Sequence, residues 1–81
     1  MDDKYTMNNL EMGQSADIEE IYFHGAFRRR FFDIGFLPGN VVECVGISPL
    51  GDPKAYRVND TVVAVRNDDA RLVKVGNIIS H

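Results

Sequence analysis

Phe27-Arg28-Arg29-Arg30-Phe31-Phe32-Asp33-Ile34-Gly35-Phe36-Leu37-Pro38-Gly39-Asn40 carries a helix, its stop and a tight turn in direct succession. At about 100° per residue, Phe27, Phe31 and Ile34 fall on one stripe, with Arg30 at its edge. Arg29 and Asp33 lie opposite at i,i+4, in the weaker Arg-before-Asp orientation. The pattern predicts a helix over Gly25 to Ile34. Gly35 then stands where a helix takes a left-handed residue after its C-cap. Pro38 and Gly39 occupy the two central positions of a type II turn. A phosphate-cradling role for these glycines is excluded, because a turn and a strand follow instead of a lysine and a helix start.

Outward from this stretch the period changes to two. On the N-terminal side, Ala16, Ile18 and Glu20 alternate with Asp17 and Glu19, and Ile21 follows. This reads as a half-buried strand with an irregularity near Glu20. Residues 1–9 are polar and weakly patterned, and are expected to form a flexible arm. On the C-terminal side, Val41 to Ile47 reads as a strand closed by the breaker-rich loop Ser48-Pro49-Leu50-Gly51-Asp52-Pro53. Ala55 to Val58 and Thr61 to Arg66 read as strands joined by a two-residue turn, Asn59-Asp60. Asn67 to Ala70 reads as a helix cap and one turn, with Asn67 as the capping acceptor. Leu72 to Ile79 alternates loosely as a last strand.

The expected fold is mainly β: a small barrel of five to six short strands, with one short α-helix inserted after the first strand. One domain over residues 10–79 is expected. Its core should place Phe27, Phe31 and Ile34 on Ile18, Val42, Cys44, Tyr56, Val58, Val63 and Val65. At 81 residues, a single core buries only about 60% of the surface of the unfolded chain.

Composition narrows the function. Nine Lys+Arg against twelve Asp+Glu leave a net charge of −3, which argues against a nucleic-acid-binding protein. One cysteine, Cys44, excludes an intrachain disulfide; between Val42 and Val45 it reads as a small buried hydrophobe. The start Met1-Asp2-Asp3-Lys4 is not a signal peptide. The longest aliphatic run, Val62 to Val65, is far short of the roughly 20 residues of a membrane helix. A cytoplasmic protein that meets a membrane only through a partner is expected. Ser15, Ser48 and Ser80 have no histidine in a nucleophile–base pattern, and Asp68 and Asp69 read as helix-start acids, so an enzyme is not expected. His24, Cys44 and His81 are the soft metal ligands, and no two are spaced as a site. No cofactor is required; weak Fe(II) or Zn(II) binding at His24 or His81 stays open.

The run His24 to Gly39, followed by Ser48 to Pro53, resembles the FeoA family, small cytosolic companions of the bacterial ferrous-iron transporter FeoB. The resemblance covers about Leu10 to Val75, including Leu10, Gly13, Ala16 and Ile18 at its start and Val63-Ala64-Val65-Arg66 before an acidic turn. The same module resembles the C-terminal domain of some iron-dependent repressors. The chain departs from the family at Phe31 and Phe32, where aliphatic residues are usual, at Cys44, and at Asn67, where a basic residue is frequent. The resemblance implies an SH3-like barrel without catalytic activity, docking on the FeoB GTPase-transporter in ferrous-iron uptake. The alternatives are a metal-responsive regulatory module or a transition-metal-binding protein. Arg28, Arg29, Phe32, Leu50 and Asp52 are the expected partner-binding residues. Phe32 reads equally as a core contact, and Leu50 as tucked inward. Gly35, Pro38, Gly39, Gly51 and Pro53 are the expected turn residues. Monomer and homodimer are both compatible with the sequence.

Overall fold

The computed structural model describes residues 5–81. Six strands form one sheet: β1 (Tyr5–Thr6), β2 (Gln14–Ile21), β3 (Val41–Ile47), β4 (Lys54–Val58), β5 (Thr61–Val65) and β6 (Val73–Ser80). Their order is β1-β6-β2-β3-β4-β5, and neighbours are antiparallel throughout. Helix α1 spans Gly25–Asp33 and the single turn α2 spans Asn67–Ala70. The mainly-β architecture agrees with the period-two reading. The helix, however, follows the second strand, because Tyr5–Thr6 pairs with β6 ahead of the strand expected to be first.

In the part of the expected arm that is described, residues 5–9, Tyr5 and Asn9 are exposed and Met7 is tucked inward. Met7, in a 3-10 turn over Met7–Asn9, is fully buried. Lys54 on β4 explains why a polar segment is held there. Its ammonium donates to the carbonyls of Asn8 at 2.8 Å and Leu10 at 2.9 Å. The Tyr56 hydroxyl donates to the Met7 carbonyl at 3.3 Å. The N-terminal turn thus ties the β1 end of the sheet to β4. A lysine in a strand carries no pattern that announces such a contact. Residues 1–4 of the expected arm lie outside the described residues.

Ile18, Val42, Cys44, Tyr56, Val58 and Val65 are buried as expected, with Phe31 among them. Val63 and Ile34 are only partly buried against this core. Phe27 is a correction: it is 38% exposed. Its place is taken by Phe23 and Phe36, which flank the helix and are buried. Burying one such side chain stabilises the fold by roughly 1.5–3 kcal/mol before entropy is subtracted. The irregularity near Glu20 is a register shift in the β2–β6 pairing between Ile18 and Glu20. Asn59 has φ 56° and closes the β4–β5 hairpin across the pair Val58 and Thr61.

Candidate functional site

Helix α1 ends in a Schellman motif. Phe36 N–H donates to Phe31 O at 2.9 Å and Gly35 N–H donates to Phe32 O at 3.0 Å. Gly35 has φ +111°, which only glycine adopts at low cost. A Cβ on Gly35 would overlap the Asn59 side-chain nitrogen and stand 3.0 Å from Val58 Cγ1, so the helix end also seats against the β4–β5 turn. The expected type II turn follows: Gly39 has φ +98°, and Asn40 N–H donates to Leu37 O at 3.0 Å.

Four phenylalanine rings hold α1 to the sheet. Phe23 lies 4.7 Å from both Phe27 and Phe31, and Phe31 lies 5.0 Å from Phe36. Arg28, Arg29 and Arg30 are exposed. The Arg28 guanidinium sits 4.6 Å from the Phe32 ring centre. Phe32 is therefore neither core nor bare: it is half-buried under a cation, a contact contributing about 0.5–1 kcal/mol at an exposed site. Arg57 pairs with Glu43 at 3.0 Å and Arg71 with Asp68 at 3.7 Å. Arg28, Arg29, Arg30 and Arg66 have no carboxylate in ion-pair range among the described residues.

The loop after β3 presents Leu50 at its tip, 94% exposed. Gly51 N–H donates to Ser48 O at 2.8 Å, closing the turn, and Gly51 has φ +86°. Pro53 accepts from Ser48 N–H at 3.2 Å through its carbonyl. Asp52 is already engaged within the molecule: its carboxylate accepts the Asn67 N–H at 2.9 Å. Asn67 in turn donates from its side chain to Gly51 O at 3.2 Å. The expected cap is thereby corrected. Arg66 precedes α2 with no side-chain cap bond, and Asp52 supplies the acceptor from across the fold. The α1 face precedes β3 and the Leu50 tip follows it, and among the described residues no hydrogen bond joins them.

Between α1 and β5 runs a groove of about 460 Å³, floored by Phe27, Phe31, Ile34, Val63 and Val65 and rimmed by Arg30, Arg66 and Asp69. Sequence reasoning missed it, because it depends on which strand lies beside the helix. The uncharged run Thr61 to Val65, followed at once by Arg66, was the signal available.

The soft ligands are dispersed. His24 is the exposed residue before α1, and its side chain makes no cap bond. His81 Nε2 lies 2.7 Å from the Ser15 hydroxyl. This serine–histidine pair does not show in the sequence spacing; among the described residues no carboxylate bonds the other ring nitrogen, and Ser15 is buried, so the contact satisfies a buried hydroxyl. Cys44 is fully buried, and burial pushes its thiol pKa up, countered in part by a backbone hydrogen bond at Gly46 and by the Lys54 charge. No group of three His, Cys, Asp or Glu side chains placed to hold a metal occurs among the described residues.

The model of the FeoA domain family matches residues 5–76. The chain belongs to the FeoA domain family. This FeoA domain is 35% identical over 75 residues to an Fe(2+) transport protein A/Fe(2+) transporter FeoB fusion protein of Porphyromonas gingivalis (strain ATCC BAA-308 / W83). That match covers 93% of this chain and 9% of the fusion protein. Among solved structures, it is similar to Stenotrophomonas maltophilia FeoA complexed with zinc, a prokaryotic SH3 domain protein. The TM-score is 0.82 at 29% identity, covering 94% of this chain and 96% of that one. The FeoA protein of Chlorobium tepidum gives a TM-score of 0.82 at 27% identity, covering 88% and 68% of the two chains. The SH3-like fold implied by the sequence is thus the fold observed. The family works in ferrous-iron transport, and FeoA domains are small accessory domains. No helix among the described residues is long and apolar enough to cross a membrane.

Proposed function

We propose that this FeoA domain is a cytoplasmic, non-enzymatic accessory protein that docks on the cytosolic part of a FeoB-type ferrous-iron transporter. The observation that carries this reading is the relative in which a matching domain and FeoB share one polypeptide. Domains joined in one chain work at high effective concentration, and the same pair as separate chains needs an interface to replace the linker. The outer face of α1 supplies one: Arg28 and Arg29, neither in an ion pair among the described residues although Asp33 lies one turn from Arg29, and Phe32 beneath Arg28. Arginine suits such a face through bidentate pairing with carboxylates. Leu50, at the tip of a stiff loop, is the second contact, and Asp52 positions that loop through Asn67. Co-purification with the soluble part of FeoB tests the reading. Wild type is retained, and Arg28→Glu/Arg29→Glu with Phe32→Ala is lost while remaining folded. Retention of that folded variant would overturn the assigned face.

A further inference from the structure

The sheet has two edges that differ in kind. Among the described residues β1 contributes only Tyr5–Thr6 to its edge. β5 is five residues, Thr61-Val62-Val63-Ala64-Val65, and pairs with β4 without a bulge. It has no charge and no proline, the usual devices that keep an edge from pairing further. The pair closing a two-residue hairpin, Val58 and Thr61, is hydrogen-bonded. Alternation therefore puts Val63 and Val65 in the ladder with β4 and turns the Val62 and Ala64 backbone groups outward. No other backbone group bonds to them among the described residues.

The apolar groove runs along this same edge. Its floor includes Val63 and Val65, and its far wall is Phe27, Phe31 and Ile34. Phe27 stays 38% exposed although it packs on Phe23 and Phe31, so apolar surface is left at the groove mouth. The rim carries two guanidiniums, Arg30 and Arg66, against one carboxylate, Asp69. Neither arginine has an ion-pair partner among the described residues.

We infer that the β5 edge and the α1 groove form a strand-addition site for an extended protein segment that alternates apolar and acidic residues. The segment pairs with the Val62 and Ala64 backbone. Its apolar side chains enter the groove over Phe27 and Ile34, and its carboxylates meet Arg30 and Arg66. A second copy of β5 is a poorer occupant, since Thr61 to Val65 offers no carboxylate to either arginine. This site lies apart from the Arg28, Arg29 and Phe32 face and goes beyond the docking reading.

The test titrates the isotope-labelled full chain with two synthetic peptides of roughly six to eight residues, one alternating valine with glutamate and the other valine with lysine. The glutamate peptide should slow amide exchange at Val62 and Ala64, leave Val63 and Val65 unchanged, and shift the Phe27 and Ile34 signals. Arg30→Glu/Arg66→Glu, both at exposed positions, should weaken it by about tenfold or more. Ala64→Pro removes an outward N–H without touching the β4 ladder and should abolish binding. Unchanged exchange at Val62 and Ala64 with the glutamate peptide overturns the site. So does equal binding of both peptides, or protection that grows with protein concentration alone, the mark of a second copy. No transporter is present in this titration, so its failure leaves docking through Arg28, Arg29 and Phe32 standing. Loss of FeoB capture would likewise leave the groove untouched.

Discussion

The Phe36 amide donates to the Phe31 carbonyl at 2.9 Å, and the two rings stand 5.0 Å apart. One residue pair thus closes the helix and anchors it in the core. Phe31 also meets Phe23 and Phe27, each at 4.7 Å. Phe31→Ala should cost about 3–5 kcal/mol, against a total stability of roughly 3–5 kcal/mol for a domain of this size. The variant should be largely unfolded by circular dichroism at room temperature.

Gly35 and Gly51 both have positive φ, +111° and +86°, yet only Gly35 is crowded. Gly51→Ala meets no atom within 4 Å and should cost about 1 kcal/mol from backbone strain alone. Gly35→Ala adds crowding against the buried Val58 at 3.0 Å and makes the exposed Asn59 amide swing aside, so it should exceed that, at about 2 kcal/mol or more. Paired urea titrations read the difference. Equal costs would mean that the helix end does not bear on the β4–β5 turn.

Lys54→Met keeps the aliphatic stem and removes the bonds to Asn8 O and Leu10 O. Hydrogen bonds from a charged donor contribute about 1.5–3 kcal/mol. Amide exchange should accelerate first in Tyr5 to Leu10, with β3 and β4 protected longer.

Burial raises the pKa of the Cys44 thiol, and burial above all raises that of the Tyr56 phenol. In both, the folded state holds its proton to higher pH than the unfolded chain. The unfolded state therefore binds fewer protons between the two pKa values, and stability falls there as pH rises. The stabilisation is fully present below the unfolded values, about 8.5 for cysteine and about 10 for tyrosine. It is lost as pH climbs through the folded ones. Urea unfolding from neutral to alkaline pH should show two declines; Cys44→Ala should remove the first and Tyr56→Phe the second. Cys44 in the folded protein should also react slowly with thiol reagents at neutral pH.

Much of this fold was legible because its punctuation is local. Gly35, Pro38-Gly39 and Asn59-Asp60 each fix a backbone turn through their own φ preferences, and β3, Val41–Ile47, follows with the expected bounds. What was not legible depends on contacts distant in sequence. Phe27 and Phe36 are equally apolar, and only the Schellman closure turns Phe36 inward. Met7 is buried because Lys54 and Tyr56 reach the main chain around it. Asp52 is an expected partner contact in the sequence, and only the fold shows that its carboxylate also accepts the Asn67 N–H, fifteen positions away in sequence. The tri-arginine face was legible in outline, since the helical wheel puts the arginines off the phenylalanine stripe. The groove was not, because it needs β5 to lie beside α1.

The most direct measurement is the affinity of the purified chain for the cytosolic part of a FeoB-type transporter, read by calorimetry across a salt series. A docking face built on Arg28 and Arg29 predicts saturable binding that weakens as salt rises. It also predicts a loss of about tenfold or more in Arg28→Glu/Arg29→Glu at unchanged fold. Binding that is indifferent to both salt and charge reversal, or no binding by the folded wild-type chain, would contradict it.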